Sequence, residues 1–383
     1  MKIAYFSRTK IPDTTANSNQ SMQVCQAITQ LNFTVTFFVI SEKDSNGDSD
    51  IETILNFYDI SDRFDVERIT IPATRGSRFR YLWSVLVASF SVAKVLVRRD
   101  FDVVLGRDLV SCWVATLLGV KTVYESHAPV WVGLVERLIF QCFIRAKNFC
   151  RLVVISRALS DVYRERYPYL QNNKILVAPD GAEIGRGNVS RAPLRGVSSK
   201  LNVGYVGHLY EGKGIELIEK IAGDMPEVAF HIIGGDSESI RYWKKRISVE
   251  NVFFYGFIPR SDLPSYYESL DVCLLPNQER VFGSGSGTIK KPVNIGSFTS
   301  PLKLFEYMAY GKAIVASDLP VLREVLHEGI AVLVDPKDFD GWKIAIRSLA
   351  SRATRENLGR AAKEEWEIEY TWVRRMDKIL RYC

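Results

Sequence analysis

The stretch SPLKLFEYMAYGKAIVASD, Ser300 to Asp318, joins a helix to a strand and represents the unit from which the chain is built. Ser300 is a favourable N-cap and Pro301 a favourable first helical residue. The apolar side chains that follow are of the kind found in a core, and AIVAS then has the composition of a short buried strand. Short buried strands that alternate with helices indicate a parallel sheet covered on both faces.

The same alternation extends through the whole chain. A segment rich in Gly, Ser and Arg and without periodicity, residues 183–200, interrupts it and is typical of a linker. With 383 residues, two α/β domains are predicted: 1–185 together with the last helix, 367–383, and 198–366. The predicted strands are, in order, KIAYF, TVTFFVI, ERITIP, DVVL, KTVYE, LVVIS, KILVAP, LNVGYV, VAFHII, VFFY, DVCLL, AIVAS and AVLVD.

The charge distribution is more informative than the net charge of +6, which is modest and indicates no nucleic-acid partner. From Arg75 to Arg99 the charged residues are all basic and enclose the apolar run FRYLWSVLVASFSVAKVLV. A second apolar and mainly basic stretch is VWVGLVERLIFQCFIRAK, residues 130–147. Both stretches fit buried helices or attachment to an anionic membrane surface. No secretory signal is evident, so we expect a cytoplasmic protein, peripheral on the inner face of the membrane in the second case.

A first candidate phosphate site follows the strand LNVGYV. The turn GHLYEGKG contains Gly207, His208, Lys213 and Gly214, and it lies where open α/β sheets bind ligands. Its glycines allow close backbone approach, and Lys213 supplies a cation for a diphosphate. A solvated lysine in a glycine-rich turn is the alternative.

A second candidate site is the start of the helix after Ser300. Its free amides, with Lys303 in the first turn, form an anion site aided by the helix dipole. Glu306 lies six residues past the cap, or about 9 Å along the helix axis. A diphosphate at the helix end would therefore bring a ribose near Glu306, whose carboxylate can accept hydrogen bonds from both hydroxyls. An ordinary helix charge is the alternative.

Several motifs together resemble the retaining glycosyltransferases of family 4, with the SPLKLFEYMA segment marking a branch of that family. YVGHLYEGKG is similar to the phosphate loop of that family, IIGGD to its second glycine turn, and FFYGFIPRSDLPSYYESLDVCLLP to its base-binding loop. TVYESHAP places His127 where the family keeps an active-site histidine. The resemblance implies that catalysis involves His127, Lys213 and Glu306. It implies a donor site formed by Gly207, His208, Lys213, Gly234, Phe257, Ile258, Ser300, Leu302, Lys303 and Glu306.

The resemblance also implies the GT-B fold, in which two Rossmann-like domains face each other across a cleft and the C-terminal helix crosses back to the N-terminal domain. A sugar would pass with retention from a UDP- or GDP-linked donor to a glycan or lipid-linked glycan, in polysaccharide or glycoconjugate synthesis. Protein groups would stabilise the leaving diphosphate, so no metal and no further cofactor are expected. A nucleotide-sugar epimerase and a non-catalytic partner subunit are the alternatives.

Two departures from the family pattern bear on these expectations. The family often has a pair of glutamates, and Phe298 stands at the first position. His208 replaces the arginine of the phosphate loop and supplies less positive charge.

GSGSG, residues 283–287, imitates a phosphate loop but lacks the G-K-[ST] ending, and we interpret it as a linker or lid. DSNGDSD, residues 44–50, imitates a metal loop, but its glycine is in the wrong place for an EF-hand, and we interpret it as a solvated acidic loop.

Overall fold

The computed structural model describes residues 1–42, 50–72, 78–130, 133–185, 190–196, 201–281 and 294–381. GSGSG and nearly all of DSNGDSD lie outside these residues; Asp50, the last of the latter, caps a helix through a 2.8 Å bond from the Thr53 amide. The chain divides into two compact units. The first reaches from Met1 to Pro179 and includes the segment that begins at Trp372, and the second takes the described residues between them.

The first unit is built on a parallel sheet that has, over the described residues, seven strands in the order β3-β2-β1-β4-β5-β6-β7. Each strand coincides with one of the apolar runs of the sequence. The strands are β1 (Lys2–Arg8), β2 (Thr34–Glu42), β3 (Asp65–Ile71), β4 (Val103–Gly106), β5 (Lys121–Ser126), β6 (Phe149–Val154) and β7 (Ile175–Val177). The order reverses between β1 and β4, and such a reversal is where α/β sheets bind ligands.

Four helices of the first unit, the first, second, fourth and sixth along the chain, begin at side chains that cap their free amides. Asp108 accepts from the amide of Ser111 at 2.9 Å, and Ser156 accepts from that of Leu159 at 3.1 Å. The helices are α1 (Ala16–Gln30), α2 (Ile51–Phe57), α3 (Arg78–Arg98), α4 (Leu109–Leu117), α5 (Leu134–Phe143) and α6 (Arg157–Arg166).

The second unit has a parallel sheet of the same design, with six strands among the described residues in the order β10-β9-β8-β11-β12-β13. Here the order reverses between β8 and β11. Its elements are β8 (Leu201–Val206), α7 (Ile215–Ile221), β9 (Val228–Ile233), α8 (Ser237–Arg246), β10 (Val252–Gly256), α9 (Leu263–Ser269), β11 (Val272–Leu275), α10 (Leu302–Ala309), β12 (Ala313–Ser317), β13 (Val332–Val334), α11 (Phe339–Ser348) and α12 (Arg352–Glu369).

The last helix, α13 (Trp372–Leu380), belongs to the first unit and packs against α1. Met376 and Ile379 are fully buried there. The N-terminal segment of the first unit ends at Pro179, and residues just beyond it are bonded within the second unit. The Ala182 amide, for instance, donates to the Tyr370 carbonyl at 3.1 Å.

The helix α3 is not the core helix that was one of the two expectations. Its segment Phe79–Arg98 is long and apolar enough to cross a membrane, by length and composition, and only 28% of it is buried. Phe79, Phe90 and Val97 are each more than 70% exposed. In α5, from the second apolar stretch, Leu134 and Leu138 are also exposed, whereas Phe140 and Phe143 are fully buried. Both helices therefore have an apolar face toward solvent.

Candidate functional site

The turn after β8 lies at the reversal point of the second sheet. Gly207 follows the strand directly, and Gly214 is the N-cap residue of α7. Gly214 has a φ of 93°, and a Cβ at this position would come within 2.0 Å of the Pro276 carbonyl oxygen. Only glycine fits there. Lys213 is thus carried on a tightly packed turn, and burial lowers the pKa of its ammonium group.

Lys303, in the first turn of α10, is the most unusual charged group of this unit. Lys303 has a relative exposure of only 9%, and its Nζ lies 3.7 Å from the centre of the Tyr205 ring. Within the described residues Nζ has no hydrogen-bond partner. Burial, reinforced by Lys213, lowers the pKa of Lys303 well below its usual value, although Glu306 opposes the shift. A buried ammonium without an acceptor is costly and marks a place for an anion.

The start of α10 corrects the prediction for Ser300. The helix begins at Leu302, and the cap position is held by Pro301, which has extended backbone angles and no side-chain bond to offer. Ser300 instead accepts a 3.1 Å hydrogen bond from the Asp180 amide. The Leu304 amide donates to the Pro301 carbonyl. Among the described residues no acceptor is found for the amides of Leu302 and Lys303, which leaves these first-turn groups for an anion.

Glu306 lies one turn further along α10 and is held by two side chains. One oxygen accepts from the Arg260 guanidinium at 3.2 Å, and the other accepts from the Tyr267 hydroxyl at 2.8 Å. Glu306 keeps 16% of its side-chain exposure and Arg260 keeps 20%. The carboxylate is therefore fixed in position and still accessible to a ligand.

The remaining predicted donor residues lie at the ends of neighbouring strands. Gly234 follows β9, and a Cβ there would come within 2.4 Å of the Gly207 carbonyl oxygen, so the two turns are in backbone contact. Phe257 and Ile258 follow β10, and Phe257 is 57% exposed. His208 is exposed, and its ring stacks on Tyr210 at 4.9 Å. The structure thus joins Gly207, Gly234 and Lys303 closely, and it stacks the His208 ring on Tyr210.

In the first unit, His127 follows β5 and is held by buried charges. Its Nε2 lies 2.6 Å from Oε1 of Glu125, which is fully buried. Arg375 of α13 donates to both oxygens of Glu125, at 3.1 and 3.3 Å. Burial and then Arg107 lower the pKa of His127 to about 4. Burial alone would raise the pKa of Glu125, but Arg375, His127 and Arg107 together hold it well below its usual value.

Several of these residues were not found by sequence reasoning. Glu125 carries the only sequence signal, because an acidic residue within the apolar strand KTVYES is unusual. The others are identified only by their contacts in the fold: Gln20, Arg107, Arg260, Tyr267 and Arg375.

Comparison with known families and proteins identifies what this chain is similar to. The model of the Glycosyltransferase Family 4 domain matches residues 19–186, and that of Glycosyl transferases group 1 matches residues 200–352. A crystal structure of Anabaena HepE in complex with UDP shares the fold, with a TM-score of 0.69 and 15% identity over 100% of this chain and 99% of that chain.

Curated relatives are matched over shorter stretches. An uncharacterised 41.2 kDa protein of the Klebsiella pneumoniae cps region is 28% identical over 142 residues, which are 36% of this chain and 34% of that protein. The phosphatidyl-myo-inositol mannosyltransferase of Mycobacterium tuberculosis strain H37Rv is 28% identical over 174 residues, 42% of this chain and 41% of that protein. The chain thus spans less than half the length of these relatives. With two domain models in the expected order and a shared fold, the chain belongs to the family 4, group 1 glycosyltransferases of GT-B fold.

Proposed function

We propose that this protein transfers a sugar from a nucleotide-sugar donor to a glycan or lipid-linked glycan, with retention at the anomeric carbon. The single observation that carries the proposal is Lys303, a buried ammonium without a hydrogen-bond partner among the described residues. It lies at the start of α10, and Lys213 is close enough to lower its pKa. Two cations and two helix amides suit a diphosphate, which carries several negative charges.

Glu306 supports the nucleoside part of the proposal. Once a diphosphate lies at the start of α10, the ribose reaches the second helical turn, where the Glu306 carboxylate is fixed by Arg260 and Tyr267. A carboxylate can accept hydrogen bonds from two vicinal hydroxyls, such as those of a ribose. Complexes of the similar HepE with UDP and with UDP-glucose support a uridine donor.

The chemistry of the step follows from this charge arrangement. As the bond from the sugar to the diphosphate breaks, negative charge grows on the diphosphate, and pre-placed cations stabilise that charge. Lys303 also compensates for the weaker charge of His208 in the phosphate loop. Since these groups supply the positive charge, we expect transfer to continue in EDTA.

The binding test compares the buried Lys303 with the partly buried Lys312 of the same unit. Lys303→Met removes the unpartnered ammonium, whereas Lys312→Met removes one that already donates to the Leu270 carbonyl at 3.3 Å. We expect Lys303→Met to bind UDP and GDP about 10- to 100-fold more weakly by calorimetry, because a hydrogen bond to a charged group is lost. Lys312→Met should bind as the parent does. Equal binding by both variants would contradict the diphosphate site.

The reaction itself is tested by product analysis. Incubation with radiolabelled UDP- and GDP-sugars and a membrane extract should give labelled glycan, and the NMR coupling at the new linkage should show retention. A donor converted to its epimer without transfer would instead identify an epimerase. A bound donor that never turns over would indicate a non-catalytic subunit. This alternative is considered because the buried Phe298 stands where the family often has a glutamate.

We further propose that α3 attaches the protein peripherally to an anionic membrane, consistent with a lipid-linked acceptor. Five exposed apolar side chains share one face of α3 at helical spacing: Phe79, Trp83, Leu86, Phe90 and Val97. Lys94 and Arg98 are exposed on the same helix, and each such residue near an anionic surface contributes about 1 kcal/mol. The similar mannosyltransferase is named for a phospholipid, phosphatidyl-myo-inositol.

The membrane test uses vesicle co-sedimentation with anionic and neutral lipids, at low and physiological salt. We expect recovery with anionic vesicles, reduced by salt. The variant Trp83→Ser/Phe90→Ser should stay in the supernatant. The control Ile344→Ser/Ile368→Ser removes two equally exposed apolar side chains of the second unit and should sediment as the parent does. Equal recovery in the supernatant under all four conditions would contradict the proposal.

A further inference from the structure

The buried carboxylate beside His127 carries an inference that rests on the proposed function and deepens it. Glu125 is fully buried, and Oε1 accepts hydrogen bonds from three side chains: Gln20 at 2.9 Å, His127 at 2.6 Å and Arg375 at 3.1 Å. Arg375 is itself 98% buried, with side-chain exposure of 2%, and it also donates to the Pro179 carbonyl at 2.8 Å. Such a network holds each member in one orientation.

The amide of Gln20 is oriented by a second arginine. Arg107 donates to Oε1 of Gln20, so the Gln20 amide nitrogen points toward Glu125 and His127. This nitrogen has only hydrogen atoms to offer. It therefore bonds to the carboxylate, and at 3.0 Å it adds no acceptor for His127.

These partners determine which nitrogen of the His127 ring carries the hydrogen. An ionised carboxylate only accepts, so Nε2 of His127 must carry the hydrogen that it donates to Glu125. We propose that Glu125 and Arg375 are positioning residues that fix His127 as the neutral Nε2–H tautomer. Its Nδ1 then presents a lone pair, and no side chain among the described residues donates a hydrogen bond to it. The His127 side chain keeps 18% exposure, so the ring is open to a ligand.

The charges around His127 explain why it stays neutral beside a carboxylate. Glu125 favours the imidazolium, while burial and the guanidinium groups of Arg107 and Arg375 oppose it. His127 thus accepts a hydrogen bond from a sugar hydroxyl and does not act as a proton donor at neutral pH. Arg375 contributes at a distance, since its contact is with Glu125 and not with the ring.

The first test is made on the parent protein without substrate, and a variant serves only to assign the signal. The protein contains four histidines. Long-range proton–nitrogen NMR of histidine-labelled protein resolves both ring nitrogens, and the His127→Gln spectrum assigns the resonance. We expect the Nε2–H tautomer at pH 7 and a titration midpoint near pH 4. An Nδ1–H tautomer, or an imidazolium at pH 7, would overturn the proposal.

The second test separates positioning from stability. Arg375→Gln should move the His127 midpoint upward from about 4 toward 6.5, because one opposing charge is lost. It should lower kcat roughly 10- to 100-fold through misplacement of the ring, with the affinity for the donor unchanged. Arg374→Gln, the exposed neighbour on the same helix, should change neither quantity.

The outcomes distinguish the two proposals. If the tautomer and the midpoint shift are as expected but no sugar is transferred, the positioning network holds and the proposed function fails. If Arg375→Gln leaves the tautomer, the midpoint and kcat as in the parent protein, Arg375 has no positioning role. Should that variant not fold, Arg375→Lys, which keeps the charge beside Glu125, replaces it in the same measurements, with a midpoint near that of the parent expected.

Discussion

The two units each bury a charged side chain near the end of a strand, but they treat it in opposite ways. In the first unit, Glu125 is surrounded by donors, and Arg375 balances its charge. In the second, Lys303 is nearly as deeply buried, and among the described residues its Nζ has no acceptor. Both sit near the reversal point of a sheet of the same strand order.

The difference shows which site is complete before a ligand arrives. The charge of Glu125 is already compensated, so this cluster can orient His127 without a substrate. Lys303 becomes compensated only when an anion binds. Burial of an unpaired charge costs free energy, and the binding of an anion offsets this cost. On the proposed function, the first unit serves to orient His127 and the second to bind the donor.

The largest effect should come from breaking the compensated pair. Arg375→Met leaves Glu125 buried without its cation, which typically costs about 3–5 kcal/mol. We expect the first unit to unfold at markedly lower urea concentration, as followed by tryptophan fluorescence. Adding Glu125→Gln in the same chain should recover part of the loss. A midpoint equal to that of the parent protein would mean that the pair contributes nothing.

A smaller effect is expected at Glu306, on binding rather than on folding. Glu306→Ala removes the acceptor for the ribose hydroxyls and should weaken donor binding by about 1.5–3 kcal/mol. Glu219→Ala is the control, because Glu219 forms a two-pronged ion pair with Arg246 in the same unit, at 2.9 Å for each contact. Unchanged donor affinity in Glu306→Ala, measured by calorimetry, would exclude the ribose contact.

The smallest effect has the opposite sign. Lys303→Met should stabilise the free protein by about 1 kcal/mol, because it removes a buried ammonium without an acceptor. The contact of Lys303 with the Tyr205 ring offsets part of this gain. The expected rise in Tm appears only without donor, since the parent protein gains stability from the bound nucleotide. A fall in Tm would show that Lys303 is already satisfied.

Much of the fold could be predicted from the sequence, because a parallel sheet buries both faces of its strands. Runs such as TVTFFVI and VAFHII are apolar at most positions, and each predicted strand is present in the structure. Lys303 and Glu306 could also be found, since both lie on one helix with a recognisable start. The exact start could not, because Pro301 fits either the cap or the first turn.

The network around His127 was beyond sequence reasoning for a physical reason. Glu125 and Arg375 are 250 positions apart, and no local spacing relates them. Composition could not predict whether α3 is buried or exposed, since an apolar helix can be either. Its neighbours decide this: α4 and β3 cover one face, and Phe79 and Phe90 remain uncovered on the other.

The return of α13 to the first unit has a consequence for biosynthesis. At about 5–20 residues per second, the ribosome makes Arg375 roughly 12–50 s after Glu125, whose position it follows by 250 residues. During this interval the nascent first unit has its carboxylate but lacks the guanidinium that balances it. Its strands can pair early, yet its interior is completed only after the whole second unit has been translated. For that time the growing chain exposes the α1 surface that α13 later covers.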